Sequence, residues 1–193
     1  MTVPLPNPRT PEVDVDAIFV DRWSPRSFLP EPLSAEDLHS LFEAARWAPS
    51  CYNEQPWLFL YAVTPEDRER FLSALYEKNR QWAGRAPLLL FVLARRRFAA
   101  TGKENRHAVF DAGAAWMALA LQARRRGLHA HGMAGFSRER AYDVLQVAPE
   151  DYEIMAAVAV GRRGRADDLP GDLRAMESPN GRKPLAEVAR EGK

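Results

Sequence analysis

The sequence has little cysteine and no surplus of charge of either sign. Cys51 is the only cysteine among 193 residues, which excludes an intramolecular disulfide framework and a zinc site built from cysteines. Lysine and arginine number 27 against 26 aspartate and glutamate residues, so the formal net charge is +1. The overall charge therefore does not favour binding to nucleic acid or to a membrane surface.

The chain also lacks long apolar runs and several common enzyme motifs. No apolar stretch approaches the roughly 18 residues that a membrane-spanning helix needs, and the amino terminus has no signal-peptide pattern. The GxxxxGK(S/T), GxGxxG, GxSxG and HExxH motifs are all absent. We therefore expect a cytoplasmic protein, and the length favours one domain over residues 1–193.

Proline and capping residues divide the chain into predicted elements. Four prolines in residues 1–12 predict an extended arm, and Asp14 is placed to cap a short helix that ends before Arg22. Thr64-Pro65 begins a helix that is predicted to run towards Trp82. The other predicted helices cover 35–47, 106–127 and 138–146, and the predicted strands cover 57–63, 88–93, 128–134 and 154–160. Strands separated by helices favour an α/β layered domain.

A basic segment, Arg22-Trp23-Ser24-Pro25-Arg26-Ser27-Phe28, is the first candidate for ligand binding. A guanidinium group matches phosphate oxygens, and a serine hydroxyl adds a compact donor beside it. Pro25 biases Ser24 away from the helical region, so the flanking side chains should splay out of a turn. The segment suits a phosphate monoester, and a solvated basic loop is the alternative.

The loop over residues 48–57 is the second candidate. Ser50, Asn53 and Gln55 offer both donors and acceptors, which the edge of a planar heterocycle needs. The alternative is an ordinary capped turn in which Asn53 and Gln55 satisfy the backbone. Cys51 has no assigned base or resolving cysteine, which favours a passive small residue over a nucleophile.

The third candidate is the segment over residues 131–136. Gly132 and Gly135 allow the backbone to approach a flat ligand, and a plain turn is the alternative. His129 and His131 would share one face of a strand. A metal site built from them would need further ligands, and none is evident, so we predict no metal.

Taken together, these stretches resemble the nitroreductase family of flavin-dependent oxidoreductases over about residues 15–190. The motifs that carry the resemblance are Arg22, Ser24 and Arg26; Ala48-Pro49-Ser50 with Asn53, Gln55, Pro56 and Trp57; Asn79 and Trp82 with Ala86-Pro87; Asp111-Ala112-Gly113 and Gly127-Leu128; Met133-Ala134-Gly135-Phe136; Val160-Gly161; and Arg182-Lys183-Pro184-Leu185. The family implies an α+β sandwich in which helices flank a central, mostly antiparallel sheet. It also implies a domain-swapped homodimer in which residues 162–193 cross onto the partner subunit.

The resemblance implies FMN as the cofactor, bound at two interface sites to which both chains contribute. The residues expected to hold the phosphate are Arg22, Ser24, Arg26, Arg182 and Lys183. Those expected at the ring are Asn79, Met133, Ala134 and Gly135, together with Pro49, Ser50 and Asn53 from the partner chain. No side chain is expected to act as a catalytic acid or base.

The implied activity is reduction of FMN by NADH or NADPH, followed by reduction of a nitroaromatic, quinone or similar small acceptor in a ping-pong mechanism. The chain is short for the family, so we expect a shallow, open acceptor site. Some members carry an acidic residue at the position of Ala134. The alternatives are a flavin carrier, a flavin-consuming enzyme of cofactor biosynthesis, or a nucleic-acid- or protein-binding module that uses the arginine runs at 95–97 and 124–126.

Overall fold

The structure, a computed structural model, describes residues 7–192. Pro4 and Pro6 of the predicted arm lie outside the described residues, and residues 7–11 form neither helix nor strand. The helices are α1 (Ala17–Asp21), α2 (Ala35–Arg46), α3 (Pro65–Leu72), α4 (Glu77–Ala83), α5 (Ala108–Arg125), α6 (Arg138–Leu145), α7 (Gly171–Ala175) and α8 (Leu185–Val188). The strands are β1 (Trp57–Ala62), β2 (Leu88–Arg95), β3 (His129–Met133) and β4 (Tyr152–Gly161).

The four strands form one antiparallel sheet in the order β1-β2-β4-β3. Residues 88–94 of β2 are all buried, as their continuous apolar run predicts for a strand covered on both faces. Because every pairing is antiparallel, the fold is α+β, which confirms the class implied by the resemblance. The α/β layering inferred from the alternation of elements is wrong, since alternation does not fix the direction in which strands pair.

Helices cover both faces of the sheet. Even-numbered residues of β2 such as Leu90 pack with α2 and α5, where the small side chains of Ala112 and Ala115 let α5 approach the strands closely. Odd-numbered residues such as Phe91 pack on the other face, in a second core that contains Phe71 and Trp82. The core on this second face adjoins the candidate site described below.

Beyond shifts of one or two residues at element ends, two helix predictions differ from the structure: the capping residue of α1 and the single helix after Pro65. Asp16, rather than Asp14, caps α1, because its carboxylate accepts a hydrogen bond of 2.9 Å from the amide of Ile18. The predicted helix from Pro65 towards Trp82 is two helices, α3 and α4. The chain between them pairs instead with the residues after β3: the amide of Tyr76 donates to the carbonyl of Gly135 at 3.1 Å. Because the paired residues lie far apart in sequence, the residues around the break do not predict it.

None of the helices within residues 7–192 is both long and apolar enough to cross a membrane.

Candidate functional site

Burial alternates along residues 22–27 of the segment 22–28, which we call the cation segment. Trp23, Pro25 and Ser27 are buried in the protein, whereas Arg22, Ser24 and Arg26 are only partly buried. This alternation is typical of an extended chain and presents three predicted phosphate ligands on one face. The Nη1 atom of Arg22 lies 3.5 Å from the hydroxyl of Ser24.

Residues from the far end of the sequence anchor the cation segment. The hydroxyl of Ser27 donates to the carbonyl of Arg165 at 2.6 Å, and the amide of Gly164 donates to the carbonyl of Ser27 at 2.8 Å. The carboxylate of Glu177 accepts from the amides of Arg26 and Ser27 at 2.8 and 3.0 Å. The segment is therefore held in place by its main chain, which leaves its arginine side chains free to bind.

Arg9, Arg22 and Arg182 form what we call the cation cluster. Burial, reinforced by the charge of Arg182, lowers the pKa of the Arg22 guanidinium below its ordinary value. Burial, followed by the charges of Arg182 and Arg22, lowers the pKa of Arg9. Within residues 7–192, no ion pair joins Arg9, Arg22, Arg26 or Arg182 to a carboxylate. Positive charges that repel one another without an acidic partner favour binding of an external anion.

Arg9 was not among the residues predicted from the sequence. Its guanidinium donates to the carbonyls of Val20 at 2.9 Å, Arg22 at 2.8 Å and Asn180 at 2.8 Å. These bonds tie the amino-terminal arm and the tail to the start of the cation segment. The only sequence signal was a basic residue in a proline-rich arm, which is too common to single out.

Lys183, the other predicted phosphate ligand in the tail, has a different partner in this chain. Its Nζ lies 3.8 Å from a carboxylate oxygen of Glu187, and its side chain is 76% exposed. Arg182 donates to the carbonyl of Gly181 at 2.8 Å. The structure thus associates Arg182, but not Lys183, with the cation cluster.

Asn79 and Gly135, predicted independently at the flavin ring, are brought together. The Nδ2 amide of Asn79 donates to the carbonyl of Gly135 at 3.0 Å. A Cβ atom at position 135 would lie 2.5 Å from this nitrogen, so a larger residue there would displace the amide of Asn79 from this position. Ala134 is exposed, whereas Met133 is 4% exposed and packs in the core. Met133 therefore presents only its main chain to a ligand.

His129 and His131 lie behind the cation segment and serve its packing. Nδ1 of His131 is 2.8 Å from the carbonyl oxygen of Pro25, and its ring centre is 4.5 Å from that of Trp82. His129 meets Trp23 edge to face at 6.0 Å. Burial is the main cause that lowers the pKa of each imidazole to about 4. No group of three or more potential metal ligands occurs in the part of the chain that the structure describes.

The loop over residues 49–55, which we call the Asn53 loop, is exposed and conformationally unusual. Tyr52, Asn53 and Gln55 have φ values of 52°, 56° and 51°, in the left-handed region that non-glycine residues seldom occupy. The buried carboxylate of Asp111 accepts a hydrogen bond of 3.1 Å from the amide of Cys51. Gln55 donates to the carbonyl of Asn53 at 3.0 Å, as the alternative of a capped turn predicts. Such strain is often found at ligand sites.

The predicted ring contacts occupy opposite edges of the sheet. The Asn53 loop precedes β1, whereas the Asn79–Gly135 pair follows β3 at the other edge. Three strand spacings of about 4.8 Å put roughly 14 Å between these edges. The structure therefore joins Asn79 to Gly135, but within one chain it does not bring Pro49, Ser50 and Asn53 to them.

The helix α5 gives a second measure of the separation. Asp111 near its start holds the Asn53 loop, and Arg124 near its end lies 3.5 Å from Asp21 beside the cation segment. Thirteen helical rises of about 1.5 Å place these points roughly 20 Å apart. The Asn53 loop and the cation segment thus lie at opposite ends of the helix.

Comparisons with known proteins agree with this architecture. The model of the Nitroreductase family matches residues 20–162. A crystal structure described as an oxidoreductase containing FMN is 42% identical, with a TM-score of 0.92 over 99% of this chain and 98% of that chain. Protein DrgA of a Synechocystis species is 30% identical over 90% of this chain and 93% of its own.

Another relative matches over a shorter stretch. A Streptomyces coelicolor protein provisionally named an NADH dehydrogenase/NAD(P)H nitroreductase is 38% identical over 98 residues, which is 51% of this chain. The match spans 48% of the length of that relative. The family model alone covers most of the sequence, from two residues before the cation segment to the residue after β4. The chain belongs to the nitroreductase family.

Proposed function

We propose that the protein is an FMN-dependent oxidoreductase that takes reducing equivalents from NADH or NADPH. The observation that carries this proposal is the face formed by Arg22, Ser24 and Arg26, whose arginines have no acidic partner within residues 7–192. Membership of the nitroreductase family and the likeness to an FMN-containing oxidoreductase support the choice of flavin. When bound, FMN supplies the hydride chemistry, and the protein binds and orients it.

In this proposal the phosphate of FMN binds to Arg22, Ser24, Arg26 and Arg182. A phosphate carries about −1.5 to −2 charges near neutral pH, so several cations are needed to neutralise it. Lys183 is included because it adjoins Arg182. Its pair with Glu187 is exposed, and exposed ion pairs of this kind contribute little, about 0–1 kcal/mol, so a phosphate can replace the carboxylate.

The flavin ring would bind beside Asn79, Ala134 and Gly135, with the main chain of Met133. Here the bond between Asn79 and Gly135 fixes the position of the side-chain amide, and a backbone amide near Ala134 would donate to the ring. Donors at the ring stabilise the negative charge that reduction places there. We assign no side chain as a catalytic acid or base.

A second copy of the chain would complete each site in a homodimer. Because the Asn53 loop lies across the sheet from the Asn79–Gly135 pair, Pro49, Ser50 and Asn53 would contact the flavin held by the partner. The exposed face of α5 is apolar, since Val109, Phe110 and Met117 are 48%, 80% and 37% exposed. Apolar patches of this kind are typical of protein interfaces.

The tail supports the same proposal. Every described residue from 180 onward is exposed in the single chain, including Leu185 and Val188 of α8. We propose that the exposed end of the predicted crossing tail (162–193), from residue 180 onward, contacts the partner subunit, so that these apolar side chains become covered, whereas Arg165 and Glu177 stay bonded to the cation segment of their own chain. The groove between the arm and the tail, with a volume of about 920 Å³ and lined by Val13, Phe19 and Leu185, belongs to the same surface.

The proposed reaction is a ping-pong exchange. In this proposal the oxidised nicotinamide would leave before a nitroaromatic, quinone or similar small acceptor binds at the site, where the bound FMN would supply the reducing equivalents. We propose a shallow, open acceptor site, which the exposure of Ala134 in the single chain supports. With a nicotinamide reductant, the cytoplasm is the proposed place of the reaction.

The proposal is tested in two steps on the full-length protein. Titration with FMN should give a yellow dimer, and protein that stays colourless with added FMN would refute the cofactor. NADH or NADPH should then bleach the flavin absorbance in the absence of oxygen. A flavin that dithionite bleaches but neither nicotinamide reduces would instead indicate a flavin carrier or a flavin-consuming protein.

A further inference from the structure

Glu177 is a buried carboxylate that joins the tail to the cation segment. The residue is 4% exposed and accepts hydrogen bonds from two consecutive main-chain amides. The amide nitrogen of Arg26 lies 2.8 Å from Oε2, and that of Ser27 lies 3.0 Å from Oε1. Consecutive amides directed at one anion form a nest, which fixes the local path of the chain. Glu177 therefore determines where the main chain of Arg26 lies.

The rest of the cation segment is anchored independently of Glu177. The hydroxyl and the carbonyl of Ser27 bond to Arg165 and Gly164 at 2.6 and 2.8 Å. The amide of Arg26, in contrast, has Glu177 as its only hydrogen-bond partner among residues 7–192. Loss of the carboxylate would thus release Arg26 while leaving Ser27 and the chain beyond it held.

The charge of Glu177 is not used to neutralise the phosphate ligands. Across the described part of the chain, the guanidinium groups of Arg22 and Arg26 form no ion pair with any carboxylate. The carboxylate of Glu177 instead accepts hydrogen bonds from the main chain of Arg26 and Ser27, and its charge acts on the guanidinium of Arg163. The tail therefore shapes the cation segment without occupying the face on which Arg22, Ser24 and Arg26 lie.

We infer that Glu177 is a positioning residue for the phosphate end of the flavin site. By holding the amides of Arg26 and Ser27, it keeps the Arg26 guanidinium on the face that meets the phosphate. This role rests on the FMN site proposed above and adds a residue that acts through Arg26 rather than on the ligand. It also makes phosphate binding depend on the tail being docked.

The test compares FMN with riboflavin, which lacks the phosphate. Full-length wild type, Glu177→Ala, Glu177→Gln and a control are titrated with each flavin by fluorescence, and the thermal unfolding of each is recorded. The control is Asp172→Asn, because Asp172 is an exposed carboxylate of α7 with no hydrogen bond or ion pair from its side chain in residues 7–192. It removes one negative charge from the tail without altering the cation segment.

We expect Glu177→Ala to raise the Kd for FMN by about tenfold or more, because Arg26 would lose one charged hydrogen bond to the phosphate. The Kd for riboflavin should change by less than about twofold, because no phosphate contact is involved. Glu177→Gln keeps one acceptor oxygen and should recover part of the FMN affinity, and Asp172→Asn should match wild type.

Equal weakening of FMN and riboflavin would assign Glu177 a structural role only and overturn the inference. Unchanged or tighter FMN binding by both Glu177 variants would also overturn it. If the alanine variant does not fold, the glutamine variant makes the same comparison. Failure of the wild-type protein to bind either flavin would refute the proposed function itself. Equal FMN binding by wild type and the Glu177 variants would instead refute only the role of Glu177.

Discussion

The contact between Asn79 and Gly135 gives a sharp prediction about stability. Gly135→Ala would place a methyl carbon 2.5 Å from Nδ2 of Asn79, which forces that side chain to rotate and lose its bond to the carbonyl of Gly135. A hydrogen bond of this type contributes about 0.5–1.5 kcal/mol. We therefore expect Gly135→Ala and Asn79→Ala each to lower the free energy of unfolding by about 1 kcal/mol.

The double variant decides whether the clash is the cause. Once Asn79 is alanine, the nearest remaining atom to a Cβ at position 135 is Cδ2 of Tyr76 at 3.8 Å, an ordinary contact. The second substitution should then change stability little, which gives a coupling of about 1 kcal/mol.

This coupling is measured by urea unfolding of wild type, the two single variants and the double variant, all at the same protein concentration. Gly171→Ala is the control, because a Cβ there meets nothing within 4 Å. Additive effects, within about 0.3 kcal/mol, would refute the reasoning.

Three further predictions address the phosphate site, the interface and the acid stability. Arg26→Ala should weaken FMN binding by about tenfold or more. The control is Arg165→Ala, which should bind FMN like wild type because the side chain of Arg165 is 79% exposed. Equal FMN affinities of Arg26→Ala and wild type in a titration would remove Arg26 from the site. Phe110→Asp should shift sedimentation from dimer to monomer, because Phe110 is 80% exposed on the apolar face of α5; an unchanged dimer would exclude this face. The hydrogen bond from Arg126 lowers the pKa of Asp37 below 3.8, so its stabilisation is complete above pH 3.8 and is lost as the pH falls through the lower folded value. Asp37→Asn should therefore lose less stability than wild type on acid titration below pH 3.8, and parallel curves would contradict this.

Local chemistry predicted much of the fold. Ser34 and Ser137 cap α2 and α6 through hydrogen bonds to the third residue beyond, which is a pattern readable from sequence alone. The apolar run of β2 identified a strand covered on both faces. The break between α3 and α4 escaped prediction because it depends on pairing with Gly135, more than fifty positions away.

The candidate site was predictable only where a motif lies within a few residues. Arg22, Ser24 and Arg26 lie within five residues, so their common chemistry was visible from sequence, although the sequence predicted a turn where the structure has an extended segment. Arg9 and Glu177 were not, since their partners Asn180 and Arg26 lie 171 and 151 positions away. Arginine and glutamate are common on protein surfaces, so the sequence does not single out Arg9 and Glu177. Only the folded chain shows which residues they contact.

The central claim is that each flavin site combines the cation segment of one chain with the Asn53 loop of another. Mixed dimers test it directly. One chain carries Arg26→Ala, which impairs its own phosphate end, and the other carries Ser50→Ala with Asn53→Ala, which impairs the loop given to its partner. A mixed dimer then contains one site in which both halves are intact.

The measurement is the rate of NADH or NADPH oxidation with FMN and a quinone acceptor, for each variant alone and for the two unfolded and refolded together. The account predicts that the mixture is more active than either variant alone. Activity of the mixture no higher than the mean of the two separate variants would contradict it, because a site contained within one chain gains nothing from mixing.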